Sequence, residues 1–503
     1  MLSKLPRQLN FEVLLCLSFL WGHGQAFTAK PSQGGNPTTI LSVTSESTEA
    51  PAIAEKFEAI LRSVTEEHEE EVSAGFQSFQ TTTKDDDQVS VWTDDDFISR
   101  SVGVGYAGPD EQILSRGDEV FQTVAPVFSK EECETIVAEA RKIITEGLER
   151  EKKNNEQNED EFARTNSQLG EARVSTMPQT NEWLTNAMRD KLLPLLESRF
   201  GSGDDSNPIR ADELTLHDAL VIGYGYFGCP TKSQPIHRDT SIISLNVALS
   251  PSTDYVGGGT YFDGFDGTAI QNEQGHVLCH AGGAMHAGYS IEQGERWVLV
   301  LFILAKDAPQ LARRCHARGV RALQRGDIDE AESALKAGLT VSPDDHLLHK
   351  DLGRVYMAQE KRELAKIEFE KTNEAYPLCQ KTLIGLGSML LEEGKLNEAY
   401  EKFDFALERL QNKDLKEEAC MQLRADGYNA RFNAAYCALR CADKEAADDA
   451  DRKSSRTFGL KQLPRTIERL RICIDAAPGN GQLHGMLSHA IKLLDEAERI
   501  ETP

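Results

Sequence analysis

The sequence lacks a long hydrophobic run. Its most apolar early stretch, residues 13–21 (VLLCLSFLW), is far shorter than the roughly 20 residues that a membrane-spanning helix needs. Lys4 and Arg7 precede this stretch, and small residues follow it near positions 24–26, which is typical of a cleavable targeting signal. We therefore predict a targeting segment over residues 1–26, entry into the secretory pathway, and no membrane association after processing.

Excess basic charge and ordered cysteine spacing are also absent. The net charge of -26 argues against a nucleic-acid-binding surface, because phosphate binding needs clustered lysine and arginine. The ten cysteines include no CxxC pair, which argues against a disulfide framework or a zinc site. There is no acceptable N-glycosylation sequon, since Asn36 is followed by Pro37.

Residues 27–116 are rich in Ser, Thr, Glu and Asp, and we predict a largely disordered acidic linker. Within it, residues 52–64 (AIAEKFEAILRSV) and 89–93 (VSVWT) are the two stretches with a tendency to local structure. Phe27 before a Ser/Thr-rich stretch also resembles the bipartite plastid-targeting presequences of algae. A plastid destination is therefore the alternative to the endoplasmic reticulum lumen or secretion.

A folded domain is predicted over residues 117–307. Ser129 and Glu132 form a capping-box pattern ahead of an amphipathic helix, and residues 181–201 predict a second helix. From residue 214 to 304, short apolar stretches alternate with Gly, Pro, Asp and Ser clusters. This pattern is typical of a compact antiparallel barrel or jelly roll.

Residues 308–503 carry a repeat of 34 residues. Three registers keep this period, and they are Gly319, Gly353 and Gly387; Ala331, Ala365 and Ala399; and Leu335, Phe369 and Phe403. Small residues where helices cross, with this period, are the tetratricopeptide pattern of an all-α solenoid. We predict a degenerate fourth unit from residues 428–440 and 463–479, split by a polar insert, and a capping helix after it.

His237 and Asp239 stand two residues apart in the stretch QPIHRDTS, ahead of an apolar run. In a strand such residues project to the same face. An isolated pair of this kind is most often a surface histidine and a turn-capping aspartate. If the shared face is an interior, however, a divalent metal would remove the cost of burying the charge. His286, on a later predicted strand, would then complete the two-histidine, one-carboxylate set that suits Fe(II).

Two further features accompany this set. Arg296 follows His286 by ten residues and begins the apolar run RWVLVLFIL. A buried arginine needs an anion, and its planar guanidinium group matches a carboxylate. Residues 256–262 (VGGGTYF) form a glycine-rich bend in which Thr260 is a candidate hydroxyl donor to the same anion.

Together these motifs resemble the Fe(II)/2-oxoglutarate-dependent dioxygenases, and among them the prolyl 4-hydroxylase and lysyl hydroxylase branch. The resemblance covers roughly residues 117–307, including residues 127–137 (VFSKEECETIV) at the start of the domain. It implies a double-stranded β-helix (jelly roll) with flanking helices. The fold class that we predict is therefore multidomain, with this domain followed by the tetratricopeptide solenoid.

The resemblance also implies roles for these residues. His237, Asp239 and His286 would ligate iron, and Arg296 would pair with the distal carboxylate of 2-oxoglutarate. The cofactors implied are Fe(II), 2-oxoglutarate and O2, with ascorbate as a further candidate. Prolyl 4-hydroxylases typically place lysine where Arg296 stands, whereas the lysyl hydroxylase type uses arginine, and this difference puts a prolyl substrate in doubt.

Two assignments stay open at this stage. A tyrosine shortly before the His-x-Asp pair often contacts 2-oxoglutarate in this family, and Tyr224 and Tyr226 compete for that place, with Tyr224 favoured. His280, six residues before His286, is either an outer partner of the metal site or, as we prefer, a core histidine with its hydrogen bonds satisfied.

Three functions are compatible with the sequence. We favour a hydroxylase that acts on a prolyl or lysyl side chain of a polypeptide and releases succinate and CO2, with the repeat groove recruiting the polypeptide or serving oligomerisation. The alternatives are a non-catalytic tetratricopeptide adaptor and an oxygenase acting on a small metabolite or lipid. Binding of iron and 2-oxoglutarate would separate both oxygenases from the adaptor.

Overall fold

The computed structural model of the chain describes residues 50–75, 92–102, 114–155, 170–201, 209–226, 232–263, 265, 269–377, 379–411, 421–443 and 450–501. The predicted targeting segment lies outside these ranges. The chain divides into two compact units. We call Phe57–Pro377 with Gln411–Arg424 the sheet unit, and the remainder the helical unit. Within the described ranges, none of the helices is both long and apolar enough to cross a membrane.

The described part of the sheet unit contains twelve strands. They are β1 Phe97–Ser101, β2 Glu119–Thr123, β3 Glu171–Arg173, β4 Leu214–Tyr224, β5 Ile243–Ala248, β6 Tyr255–Gly257, β7 Thr260–Phe262, β8 Ala269–Ile270, β9 Val277–Ala281, β10 His286–Gly288, β11 Ile291–Gly294 and β12 Arg296–Ala305. Seven of them form one sheet in the order β1-β2-β9-β5-β12-β4-β3. All of its neighbouring strands are antiparallel, which confirms the predicted antiparallel sheet.

Two smaller sheets complete the strand arrangement. One has the order β10-β7-β8, and the other pairs β11 with β6. The central strands β5 and β12 of the large sheet are almost entirely buried, and both are mostly apolar. The small sheets matter for function because they carry His286 and the glycine-rich bend.

Three helices pack on one face of the large sheet. They are α2 Lys130–Asn155, α3 Pro178–Ala187 and α4 Leu193–Phe200. Ile136, Leu184 and Leu196 from these helices share a core with Leu245 and Leu299 of the sheet. The predicted capping box is confirmed. The Ser129 amide donates to Glu132, and the Glu132 amide donates to the Ser129 hydroxyl at 3.2 Å.

The segment predicted as a mostly disordered linker contains helix α1 Ala50–Ala74, and a short 3-10 helix at Asp94–Asp96 followed by strand β1. They fall at or next to the two stretches that the sequence analysis singled out for local structure. Phe57, Ile60, Leu61 and Val64 recur at helical spacing and pack against Cys315 and its neighbours. An apolar face is therefore present despite the acidic composition, while most of the rest of this segment lies outside the described residues.

The repeat region is helical, as its period predicts. The sheet unit contains its first four helices, which are α5 Leu311–Arg325, α6 Ile328–Val341, α7 His346–Ala358 and α8 Arg362–Ala375. Each repeat glycine packs where its partner helix crosses. A Cβ atom added at Gly319 would meet the Leu335 side chain at 2.7 Å, and one at Gly353 would meet the Phe369 ring at 2.5 Å. Glycine at this register is therefore required by close helix packing.

The helical unit contains the remaining described helices, α9 Gln380–Glu392, α10 Leu396–Gln411, α11 Met421–Ala442, α12 Ala450–Lys461, α13 Leu463–Ala476 and α14 Gly481–Glu501. The third repeat shows the same close packing of glycine against the partner helix, since a Cβ atom at Gly387 would meet the Phe403 ring at 2.9 Å. Helices α11, α13 and α14 share one core, as expected for a fourth repeat and its cap. Part of the polar insert is helix α12.

Candidate metal centre

His237 and Asp239 lie in an extended segment before β5, whereas the sequence analysis expected them on a strand. The amides and carbonyls of His237 and His286 form a pair of 2.9 Å hydrogen bonds, an isolated antiparallel bridge to β10. The Asp239 amide donates to the Gly282 carbonyl at 2.8 Å. These three backbone contacts align the segment with β10, so the two side chains still face the same side.

The structure brings His237, Asp239 and His286 together. One ligand atom from each lies within 4.8 Å of the others, which is close enough for one metal ion to bind all three. His237 Nε2 is 3.4 Å from Asp239 Oδ1, and His286 Nε2 is 3.5 Å from Asp239 Oδ2. Asp239 and His286 are buried, whereas the His237 side chain keeps 37% of its surface exposed. The cluster therefore opens on the His237 side.

Backbone carbonyls select the tautomer of both histidines. His237 Nδ1 lies 2.8 Å from the Pro235 carbonyl, and His286 Nδ1 lies 2.9 Å from the Ala284 carbonyl. A carbonyl can only accept, so each Nδ1 carries the proton and donates it. Each Nε2 lone pair is therefore directed at the cluster, which is the usual arrangement of a metal-binding histidine.

The charges in the cluster also suit a cation. Burial alone would raise the pKa of Asp239, but the adjacent His286 and His237 outweigh it and lower this pKa below its usual value. Burial lowers the pKa of His286 to about 3, so this ring is neutral near pH 7. The Ser244 hydroxyl donates to Asp239 Oδ2 and fixes the orientation of the carboxylate. An ionised carboxylate and a neutral imidazole are the forms that bind a divalent metal.

His280 lies beside this cluster rather than in it. Its ring centre is 4.5 Å from that of His286 and 5.0 Å from that of Phe262. Its Nδ1 bonds to the Ala281 carbonyl, but its fully buried Nε2 has no hydrogen-bond partner among the described residues. The preferred prediction of a fully satisfied core histidine therefore does not match this geometry.

Arg296 begins β12 and is buried without a carboxylate partner among the described residues. Its guanidinium carbon lies 5.3 Å from the centre of the Tyr224 ring, and its positive charge favours a lower pKa for both Tyr224 and Tyr255, against the effect of burial. Burial raises the pKa of Tyr224 to about 12, so its hydroxyl stays protonated and can donate. A buried cation surrounded by neutral hydroxyls is suited to an incoming anion.

The backbone of the glycine-rich bend packs closely beside Arg296. A Cβ atom at Gly258, where φ is +70°, would stand 3.0 Å from Arg296 Cδ and 2.9 Å from the Tyr255 ring. Thr260 is buried on β7, opposite Gly288 of β10. A Cβ atom at Gly288 would in turn stand 2.5 Å from the Tyr224 hydroxyl. Glycines therefore line the approach to Arg296 and Tyr224.

The structure separates the two competing tyrosines. Tyr224 is paired with Arg296 across β4 and β12, whereas Tyr226 packs edge-on against Trp297 and contacts Thr145 of α2. Tyr224 therefore lies on the Arg296 side, and Tyr226 lies on the helix side with Trp297.

Sequence reasoning missed Ser244 and Tyr255. Ser244 carried a signal, because Ser244 and Asn246 are polar residues at alternate positions of an otherwise apolar strand. Such alternation indicates a face that meets polar groups. Tyr255 carried no signal that distinguishes it from a core aromatic residue.

No family model matches the chain. Among curated proteins, it is similar to the mouse 2-oxoglutarate and iron-dependent oxygenase domain-containing protein 2, with 26% identity over 224 residues. This match covers 41% of the chain and 56% of the relative, so the chain spans about half the length of that protein.

Solved structures resemble only parts of the chain. The first tetratricopeptide domain of Spaghetti (RPAP3) bound to an HSP90 peptide is 22% identical, with a TM-score of 0.20, and the match covers 23% of this chain and 93% of that one. PilF of Pseudomonas aeruginosa is 16% identical, with a TM-score of 0.26, and the match covers 38% and 70% of the two chains. Because these scores are low, the repeat architecture rests on the 34-residue period and the glycine packing.

Proposed function

We propose that the chain is an Fe(II)- and 2-oxoglutarate-dependent dioxygenase that hydroxylates a lysyl or prolyl side chain of a polypeptide. The observation that carries this proposal is the pairing of two sites in one unit. One is a cluster of two histidines and a carboxylate with both Nε2 atoms directed inward. The other is the buried Arg296, which has no carboxylate partner among the described residues. The similarity to an oxygenase domain protein supports the same assignment.

The residues present fit the implied cofactors. Two imidazoles and one carboxylate are the donor set of non-haem iron, and they leave coordination positions open. His237, Asp239 and His286 would hold the iron, and Arg296 with the Tyr224 hydroxyl would hold the distal carboxylate of 2-oxoglutarate. Thr260 is the further candidate for that carboxylate. When bound, iron and 2-oxoglutarate supply oxidative decarboxylation to succinate and CO2, coupled to hydroxylation of a C–H bond.

The chain's own residues would orient these components and restrict water. The carbonyls of Pro235 and Ala284 hold the Nδ1 protons, so that both rings keep one orientation. Ser244 orients the Asp239 carboxylate. The sheets around the cluster would form the double-stranded β-helix that the family resemblance implies, with the partly exposed His237 marking the side open to substrate.

The proposed substrate class rests on the repeats, the net charge and the residue at position 296. Tetratricopeptide repeats present concave surfaces that commonly bind peptides, which favours a polypeptide substrate by analogy. The net charge of -26 would attract basic segments, and arginine at position 296 favours the lysyl type. A lysine-containing peptide library with a proline-containing control would separate the two side chains.

The decisive experiment is anaerobic addition of Fe(II) and then 2-oxoglutarate to the full chain. We expect a visible charge-transfer band that is lost in His237→Ala and weakened in Arg296→Met. Tyr226→Phe, on the other face of the sheet, is the matched control and should keep the band. Succinate release stimulated by a peptide would then identify the substrate. Folded wild-type protein that binds neither component would refute the oxygenase assignment.

A further inference from the structure

The first two repeats contact the segment that carries the candidate metal ligands. Arg238, between His237 and Asp239 in sequence, forms a 2.7 Å ion pair with Asp345 at the start of α7. Both side chains are nearly buried, with 11% and 9% of their surfaces exposed. Removing one partner of a buried ion pair leaves an uncompensated charge, so this contact is energetically important.

A second contact reaches Asp239 itself. Arg313 of α5 donates from Nη1 to the Asp239 backbone carbonyl at 3.2 Å. Only five residues connect β12 to α5, and Gln310 at the end of this connection is buried with φ at 47°. The first repeat helix is therefore held close to the ligand segment.

A third contact lies on the His286 side of the cluster. The Tyr376 hydroxyl, just after α8, donates to Asp263 at 2.7 Å. Asp263 directly follows β7, and its amide donates to the Met285 carbonyl at 2.9 Å, next to His286. The second repeat thus contacts the β7 and β10 pair that carries the third ligand.

Helix α1 holds the first repeat helix in place. Arg314, next to Arg313, pairs with Glu71 at 2.6 Å and contacts His68. Arg318 of α5 also reaches Ser63 at 3.2 Å. The position of α5 is therefore also fixed by contacts with α1.

We propose that the first two repeats position the metal ligands, with Asp345 and Tyr376 as positioning residues that hold the His237–Asp239 segment and the β10 strand. This inference rests on the proposed function only in assuming that the cluster binds a metal. It assigns to these repeats a role at the centre itself, in addition to any peptide binding. Outer partners of metal ligands typically change metal affinity by about 10–100-fold when they are removed.

Asp345 permits a test that separates positioning from folding. Its Oδ1 caps α7 by accepting the amides of Leu347 and Leu348, while its Oδ2 pairs with Arg238. Asn is an equally good N-cap, so Asp345→Asn keeps the cap and removes the charge. Asp327→Asn is the matched control, because Asp327 caps α6 through the Glu330 amide and is exposed.

The experiment titrates the full chain with Co(II) and follows the visible bands of the bound ion. We expect Asp345→Asn to bind Co(II) about tenfold more weakly and with altered bands, because the ligand segment shifts. Asp327→Asn should match the wild type. Tyr376→Phe keeps the ring that packs against His346 and should weaken Co(II) binding by a smaller factor.

The outcomes are distinguishable. The inference would be overturned if folded Asp345→Asn and Tyr376→Phe both keep the Co(II) affinity and the visible bands of the wild type. If Asp345→Asn does not fold, the result for Tyr376→Phe decides alone. Full recovery of affinity in Arg238→Gln/Asp345→Asn would also overturn it, because charge repulsion would then explain the loss. Wild-type protein that binds no Co(II), or binds it equally after His286→Ala, would instead refute the proposed function.

Discussion

Gly288→Ala tests the close packing of β10 against Tyr224, beside Arg296. The added Cβ atom would stand 2.5 Å from Tyr224 Oη and 2.9 Å from its Cζ, both too close for a carbon contact. Tyr224 is buried with its ring facing the Arg296 guanidinium group, so it cannot move away freely. Overpacking of this kind costs about 1–3 kcal/mol, and we expect a free energy of unfolding that is lower by that amount.

The clash predicts coupling with Tyr224→Phe. Alone, Tyr224→Phe removes the buried hydroxyl that lies against Gly288, and we expect a loss of about 0.5–3 kcal/mol, the usual range for a single substitution. The double variant lacks the Tyr224 hydroxyl oxygen, which is the atom nearest to the new Cβ. Its loss of unfolding free energy should therefore be smaller, by about 1 kcal/mol, than the sum of the two single losses. Tyr226→Phe is the matched control. Tyr226→Phe makes the same chemical change on the helix-covered face of the sheet. Its loss of unfolding free energy should simply add to that of Gly288→Ala.

Tryptophan fluorescence during unfolding is a suitable assay. Trp92, Trp183 and Trp297 lie in the sheet unit, so the signal of these three residues follows the unit that contains the substitution. A coupling of 1 kcal/mol corresponds to about 2 °C in melting temperature, the lower end of the range for domains of 150–250 residues, because the sheet unit is larger than these domains. If the losses in unfolding free energy of Gly288→Ala and Tyr224→Phe simply add, the contact between position 288 and the Tyr224 hydroxyl is refuted.

Three further outcomes are expected. Ser244→Ala removes the donor to the Asp239 carboxylate and should weaken Co(II) binding about tenfold in titrations, whereas unchanged affinity would show that the carboxylate needs no support. Burial lowers the pKa of His346 from 6.5 to about 3, so the unfolded state binds more protons between these values. Stability should therefore fall as the pH drops below 6.5. His346→Gln should flatten this dependence by up to about 1.4 kcal/mol per pH unit in denaturant titrations, and an unchanged slope would contradict the assignment. Iodoacetamide should label the part-exposed Cys379 first among the described cysteines, since burial raises the pKa of the Cys133 thiol to about 12. Equal labelling by mass spectrometry would contradict this order.

The candidate ligand set could be predicted because its signal is local. His237 and Asp239 are two residues apart, and Arg296 follows His286 by ten residues. The repeat helices could be predicted because glycine recurs at each helix crossing. In both cases a short spacing constrains the geometry, so one sequence is enough.

The contacts between the repeats and the ligand segment could not be predicted. Arg238 and Asp345 are 107 residues apart, and no pattern in one sequence pairs them. The position of helix α1 is a different case. The helix has an apolar face at helical spacing, formed by Phe57, Ile60, Leu61 and Val64. The acidic residues around this face dominate the average composition of the segment. A composition average conceals such a face, whereas a periodicity count over the same window detects it.

Comparison of the buried arginines strengthens the assignment of the anion site. In the sheet unit, Arg199 pairs with Asp94, Arg238 with Asp345, and Arg314 with Glu71, at 2.6–2.7 Å. The fold thus supplies a carboxylate to each of these buried guanidinium groups. Arg296 is as buried as they are, yet it has no carboxylate partner among the described residues. A buried charge without an internal partner is costly, so its counter-ion is expected from solution. This argument does not depend on the family resemblance, and it predicts an anion-binding position beside Arg296 even if the metal assignment were to fail.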